Sequence, residues 1–258
     1  MIYFYSGTPG SGKSLHVARD ILIKTRLKRQ NVITNMNINY EYIYTSGIKK
    51  TINKILSFFR IHKQLSTKRK KHGIIYQVEN EKITPELFYQ YALKFHKRGK
   101  EGQTLIVLDE AQMIFSPSQV KLKCQENARY RVEWLDFFTQ HRHLGYNIIM
   151  VSQFDMLIDP QIRYLFEYDV KHKKANNYKI GWLFTLFRMQ LFVGSCYWYG
   201  MRLHNYSEFF VFQKKYATIY DSYKKFDDMK RILEEKFRKK KEARERLTYI
   251  ENMKKKHA

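Results

Sequence analysis

The sequence is short of acid. Of its 258 residues, 48 are Lys or Arg and only 24 are Asp or Glu, a formal charge of +24 at pH 7. Such a surplus excludes an acidic, self-solvating chain and points either to a solvated basic surface or to a polyanionic partner. Cysteine is nearly missing as well: Cys124 and Cys196 stand apart, with no paired motif. That excludes a disulfide framework and fits reduced thiols in a cytosolic setting. A secretory signal is not expected, because the opening residues already read as a strand and a glycine-rich turn. Long apolar runs are limited to Ile180 to Met201, and Arg188 and Gln190 interrupt its middle. A central Arg costs about 2.5–3.5 kcal/mol on insertion scales. The aromatic and β-branched residues of that run suit a buried hairpin turning near Gly194 and Ser195 better than a membrane span. His141 and His143 do not suggest a metal site, since their spacing places them on different helical faces and no Cys or carboxylate cluster stands near.

The positive charge is concentrated. Residues 48 to 72 hold nine Lys/Arg and no acid, and residues 214 to 258 hold sixteen Lys/Arg against eight Asp/Glu. Within the first stretch Ile48, Ile52, Ile55, Leu56 and Phe59 fall at helical spacing. An apolar stripe among cations is what a helix lying on an anionic membrane surface needs, and nucleic acid is the other acidic partner to weigh.

The strongest signal is the opening, MIYFYSGTPGSGKSLHVARD. Gly7, Gly12, Lys13 and Ser14 satisfy G-x-x-x-x-G-K-[ST], the pattern of a loop whose backbone N–H groups cradle phosphates. Gly7, Thr8, Pro9, Gly10, Ser11, Gly12, Lys13, Ser14 and Leu15 are the expected nucleotide-binding segment. Lys13 would reach the β- and γ-phosphates of ATP, and Ser14 would give its hydroxyl to Mg²⁺. Ile2 to Tyr5 reads as a strand and Ser14 to Arg29 as a helix, so the phosphates would sit at a helix N-terminus. Leu15, Ala18 and Leu22, with Ile21 and Ile23, form the expected inward face of that helix.

Further along, Asn31 to Met36 and Gly73 to Val78 read as strands, and Thr84 caps a helix opened by Pro85. Leu105 to Leu108 is a continuous apolar run, the mark of a central parallel strand buried on both faces. A helix is expected from about Ala128 to Leu144, stopped by Gly145, with another buried strand from Asn147 to Gln153. Strands alternating with helices argue for a mostly parallel α/β sheet binding ligands at its carboxyl ends.

Asp109 directly follows the apolar run, as an acid holding Mg²⁺ opposite the loop hydroxyl would. Glu110 comes next and could accept a proton from, or orient, a water attacking the γ-phosphate. A small-molecule kinase has no use for such a glutamate, whereas a hydrolase that drives motion does. The 95 residues between Lys13 and Asp109 leave room for an interposed helix and strands, as in the additional-strand, catalytic-glutamate branch of phosphate-loop ATPases. A two-domain helicase would need more chain than this. Gln153, at the end of the next strand, is either a γ-phosphate sensor or a polar strand terminus. Arg142 is either an arginine finger for a neighbouring subunit or a surface residue, with Arg129, Arg131 and Arg163 as competitors.

GTPGSGKS, LDEAQMIF, HRHLGYNIIMVSQ, IDPQIRYLFEYDVK and ATIYDSYKKF together resemble the zonular occludens toxin (Zot) family, over roughly residues 1 to 226. Its filamentous-phage members are assembly and export ATPases. The resemblance implies a cytoplasmic, inner-membrane-associated homo-oligomeric ATPase that works with phage coat or assembly proteins to extrude single-stranded DNA. Other DNA-translocating ATPases, of packaging or conjugation type, and a slow nucleotide-gated membrane adaptor are the alternatives. The expected organisation is a phosphate-loop core over 1–178 carrying the basic insertion, a β-rich extension over 179–223 and a charged helical tail over 224–258.

Overall fold

The Thr104–Leu108 segment, β4, is buried at all five residues, and after Thr104 it is a continuous apolar run, as suits the middle of a parallel sheet. The structure, a computed structural model, describes residues 1–39, 72–175 and 190–220. The expectations for the basic stretch before His72, for 180–189 and for the tail from 224 onward lie outside the described residues. The other strands are β1 (Ile2–Ser6), β2 (Asn31–Thr34), β3 (Ile75–Gln77), β5 (Tyr146–Val151), β6 (Tyr168–Lys174), β7 (Leu191–Trp198) and β8 (His204–Val211).

They form one eight-stranded sheet in the order β3-β2-β4-β5-β1-β6-β7-β8. The first six of that order pair in parallel, and β7 and β8 add on antiparallel. Strand β5 lies between β1 and β4, with Ile148 opposite both Ile2 and Ile106. This is the additional-strand arrangement of a phosphate-loop fold. It sends the chain out of β1 and β4 at the same edge, about 10 Å apart at two strand spacings.

Alternation along the strands divides the core between two faces. On one, Val32, Leu105, Val107, Ile149 and Val151 meet Val17, Ala18 and Ile21 of α1 (Lys13–Arg26). On the other, Phe4, Ile106, Leu108, Ile148 and Met150 are covered by an aromatic layer. That layer comes from α2 (Pro85–Phe95), α3 (Gln112–Phe115) and α5 (Tyr130–Gln140), with α4 (Pro117–Glu126) and α6 (Pro160–Arg163) alongside. Phe115 meets Trp134 edge to face at 4.8 Å, a geometry aromatic quadrupoles favour. Each such ring fully buried is worth about 1.5–3 kcal/mol. Thr84 caps α2 as expected, its hydroxyl accepting from Leu87 N at 3.3 Å.

Several boundaries move. The hairpin does not turn at Gly194 and Ser195, which lie inside β7 opposite Glu208 and Ser207. The reversal falls between β7 and β8, where Gly200 and Arg202 take positive φ of 84° and 53°. Helix α1 ends at Arg26, and α5 is shorter than its apolar pattern suggested, giving way to turns before Gly145. The inward face of α1 includes His16 and Val17, while Leu22 and Ile23 are only half-buried. Among the described residues no helix is long and apolar enough to cross a membrane.

Candidate functional site

The chain leaves β1 at Ser6 and enters α1 at Lys13. Gly7 N donates to the Gln153 carbonyl at 3.1 Å, which ties the start of the loop to the end of β5. Ser11 N donates to the Thr8 carbonyl at 3.2 Å and closes the turn. Two of the glycines are demanded by space as well as by φ. A Cβ on Gly7 would lie 2.6 Å from the His172 carbonyl, and one on Gly12 would lie 2.7 Å from the Phe192 ring. Their φ values, 144° and 92°, suit glycine alone. Thr8, Pro9 and Gly10 are exposed, whereas Ser11 is buried with its hydroxyl unpartnered among the described residues. Leu15 is buried against Phe192 and Phe210 and anchors the first turn of α1.

Lys13 Nζ donates to the carbonyls of Gly7 (2.5 Å) and Thr8 (3.1 Å), so its ammonium lies inside the loop. Burial lowers its pKa, and the carboxylates of Glu110 and then Asp109 pull it back up. Those two acids and the loop lysine therefore share one electrostatic neighbourhood, although they are far apart in sequence. Asp109 N donates to Asn35 Oδ1 and Asn35 Nδ2 donates to the Asp109 carbonyl, both at 2.7 Å. The Asn35 carboxamide thus continues the β2–β4 ladder by one step and fixes where the acid leaves the strand. Glu110 follows with φ +48°, a left-handed conformation unusual for a residue with a side chain. Its Oε2 accepts from Gln112 Nε2. Ala111 N then donates to the Val151 carbonyl at 2.8 Å, and Ser152 N donates to the Tyr5 carbonyl at 3.1 Å. The carboxyl ends of β1, β4 and β5 are stitched together by these bonds.

The loop, Asp109, Glu110 and Gln153 are therefore gathered at one edge of the sheet. Arg142 is not among them. It precedes β5 at the amino edge, where its Nε and Nη2 both reach Glu101 Oε2 at 3.4 Å. Of its competitors, Arg131 Nη2 donates to buried Asp159 at 3.0 Å, Arg163 Nη1 donates to Met156 Sδ, and Arg129 is exposed ahead of α5. Asn35 and Gln112 escaped sequence reasoning. Asn35 carries no local signal, since only the fold brings Asp109 beside it.

The arrangement fits a nucleotide phosphate. The loop's backbone curls around a lysine ammonium, two positions leave no room for a Cβ, and a buried serine hydroxyl has spare capacity. Ser14, in the first turn of α1, and Asp109, beyond β4, are a hydroxyl and a carboxylate, the oxygen donor set that Mg²⁺ prefers.

A family model described as zonular occludens toxin (Zot) matches residues 1–191. No curated protein matches the chain in a sequence search. Among solved structures, the N-terminal domain of zonular occludens toxin from Neisseria meningitidis is 19% identical, with 85% of this chain and 98% of that chain covered and a TM-score of 0.43. B204, the DNA-packaging ATPase of Sulfolobus turreted icosahedral virus, is 15% identical, with 82% and 96% covered and a TM-score of 0.44. A KaiC-like protein from the hyperthermophilic archaeon Pyrococcus horikoshii is 10% identical, with 82% and 84% covered and a TM-score of 0.44.

Proposed function

The chain belongs to the zonular occludens toxin family, and from that premise we propose that it is an ATP-hydrolysing motor for extruding single-stranded DNA in filamentous-virion assembly. The observation that carries the ATPase reading is the shared neighbourhood of Lys13, Asp109 and Glu110 at stitched strand ends. Backbone N–H groups of the loop would bind the β- and γ-phosphates, and Lys13 would exchange its loop carbonyls for phosphate oxygens. Ser14 and Asp109 would hold Mg²⁺, whose charge screens the phosphates when bound. Glu110 is then left to orient a water and take its proton. The bond from Gln112 holds the Glu110 carboxylate, on a residue whose backbone is left-handed. Gln153, whose carbonyl accepts from Gly7 N, would sense the γ-phosphate through its side chain.

Arg142 lies at the opposite edge and could act only on a neighbouring copy, so its role presupposes a homo-oligomer. The motor would work at the cytoplasmic side of the host inner membrane with phage coat or assembly proteins. The basic stretch over 48–72 would supply contact with an anionic membrane surface. ATP turnover measured with and without single-stranded DNA tests the reading. Stimulation by DNA is expected. Negligible turnover would leave a slow nucleotide-gated adaptor, and preference for duplex DNA would move the protein toward packaging or conjugation.

A further inference from the structure

Directly behind the phosphate loop, on the face covered by α1, lies a chain of buried polar side chains that the catalytic reading does not use. His172, on β6, points its Nδ1 at the Ser6 carbonyl at 3.1 Å, the last carbonyl before the loop begins. Its Nε2 stands 2.8 Å from His16 Nδ1, on the first turn of α1. The other His16 nitrogen, Nε2, lies 3.4 Å from Glu208 Oε2 on β8 and 3.9 Å from Asp20 Oδ2. Glu208 is paired in turn with Arg19. Both imidazoles are almost wholly buried, at 3% exposure for His16 and 2% for His172.

The hydrogen-bond logic allows one ordering. A carbonyl can only accept, so His172 must carry its proton on Nδ1 and present Nε2 as a lone pair. His16 Nδ1 must then be the donor to His172, and for its Nε2 to donate to Glu208 as well the His16 ring carries both protons. The rings are held in place sideways as well. Tyr5 stacks on His16 at 5.0 Å and lies 4.9 Å from His172, and Phe210 of β8 lies 4.8 Å from His16. Tyr5 donates its hydroxyl to Asp20 at 2.8 Å, and β7 passes the His16 ring with Gly194, which has no side chain to displace it.

We propose that His16 and His172 form a positioning relay that ties the backbone at the mouth of the phosphate loop to Glu208 on the edge strand β8, so that the antiparallel extension sets the loop's affinity for nucleotide. The inference rests on the phosphate-binding reading of the loop and adds a regulator to it. Gly7 approaches the His172 backbone too closely to tolerate a Cβ. Any shift of His172 is therefore passed to the loop without slack. Whatever engages β8 would act on nucleotide binding through Glu208. None of the three residues would touch nucleotide, so they are positioning residues.

The test uses the full chain and three variants, His172→Phe, His172→Asn and Glu208→Ala, with nucleotide affinity and histidine-ring ¹⁵N spectra as readouts. His172→Phe keeps a ring and removes both bonds; it should weaken nucleotide binding about tenfold or more, raising KM more than it lowers kcat. His172→Asn restores a donor toward Ser6 and should recover part of that loss. Glu208→Ala lies on a half-exposed edge strand and should fold normally. It should weaken nucleotide binding in the same direction and also move the His172 Nε2 resonance. Ser207→Ala, a neighbouring change that removes the Ser195–Ser207 bond, should do neither. Wild-type affinity or an unmoved His172 resonance in Glu208→Ala overturns the relay, as does an equal loss in Ser207→Ala. A wild-type chain that binds no nucleotide at all would instead overturn the function reading, while the spectra would still report the hydrogen-bonded chain.

Discussion

The two edges of the parallel sheet carry the same kinds of polar side chain and use them in opposite ways. At the amino edge a network of polar groups closes on itself, although Thr25 Oγ1 and His72 Nδ1 there have no hydrogen-bond partner among the described residues. The Met1 ammonium donates to His141 Nε2 (2.8 Å) and Asn147 Oδ1 (3.3 Å), while His141 Nδ1 lies 2.5 Å from the Phe138 carbonyl. His96 bridges the Leu144 carbonyl and Thr104 Oγ1, and Gln103 Nε2 holds the carbonyls of Lys97 and Lys100. At the carboxyl edge Lys13 holds only its own loop, and neither Ser11 Oγ nor Gln112 Oε1 has a hydrogen-bond partner among the described residues. Glu110 there also takes a left-handed backbone. Buried polar groups that close on one another build structure, and those left with spare capacity at strand ends are where a ligand is to be expected.

If that contrast is right, substitutions at the carboxyl edge should change chemistry and leave stability alone. Glu110→Gln keeps size and removes the base, so turnover should fall by about 10²–10⁴-fold with ATP still bound. Parallel measurement of turnover and ATP affinity checks this, and unchanged turnover would remove Glu110 from the mechanism. Lys13→Ala should weaken ATP binding by about a hundredfold, since the ammonium's charge-assisted bonds to phosphate are lost. Its melting temperature should stay near wild type. At the amino edge the pattern should invert. His141→Ala takes one partner from the Met1 ammonium and leaves the buried Phe138 carbonyl without its side-chain partner, and should cost about 1–3 kcal/mol of unfolding free energy while ATP affinity stays put. An affinity loss there as large as for Lys13→Ala would erase the distinction between the edges.

The face behind the loop adds a pH dependence of intermediate size. Burial, and after it the neighbouring His16, push His172 from its ordinary 6.5 down to about 3. The folded chain therefore keeps this ring neutral where the unfolded chain protonates it. Stability from His172 is complete above pH 6.5 and is lost as pH falls toward 3. Glu208 is held down to about 2 from 4.5, first by its hydrogen bond with His16 and then by Arg19, against its burial. Its contribution is present above pH 4.5 and is lost as pH falls toward 2. Both act in the same direction. Chemical unfolding followed from pH 7 to pH 4 should show a decline from His172 of up to about 1.4 kcal/mol per pH unit below pH 6.5, with the solvent-screened Glu208 adding to it only below pH 4.5. In His172→Phe the upper part of that decline should vanish.

How much of this could be read from the sequence depended on distance along the chain. The strand, loop and helix from Ile2 to Arg26 were legible because one local motif specifies all three. The buried run before Asp109 was legible because a short apolar stretch with Ile106 and Val107, too brief for a helix, suits a central strand. The additional strand, β5, was legible as the apolar run after Asn147, whereas the interval between Lys13 and Asp109 holds β2 and β3 on the other side of β4. The hairpin was misplaced because Gly194 imitates a turn glycine. Its actual use is to let His16 and Val170 approach β7, which only the fold reveals. His16 drew no notice in the sequence since its partner is 156 positions away. Asn35 passed as part of a strand since nothing local says that Asp109 will arrive beside it.

Arg142 is the residue on which the comparison of edges is sharpest, and its expected effect in isolation is the smallest. Its side chain is half-exposed, and its carboxylate partner, Glu101, is more exposed still. Such a pair contributes about 0–1 kcal/mol, because solvent screens it and two long side chains must be ordered to hold it. Arg142→Ala should therefore leave the melting temperature nearly unchanged. ATP affinity should also be unchanged, since the length of the strands separates this edge from the phosphate loop. An arginine acting on a neighbour's γ-phosphate has a different signature. Turnover would match wild type when the protein is dilute and fall below it as concentration brings copies together, with affinity constant throughout. That concentration dependence is the expected outcome if the motor is a homo-oligomer whose amino edge meets the next copy's loop. Turnover equal to wild type at every concentration would return Arg142 to the amino edge's own network and make exposed Arg129 the next arginine to change.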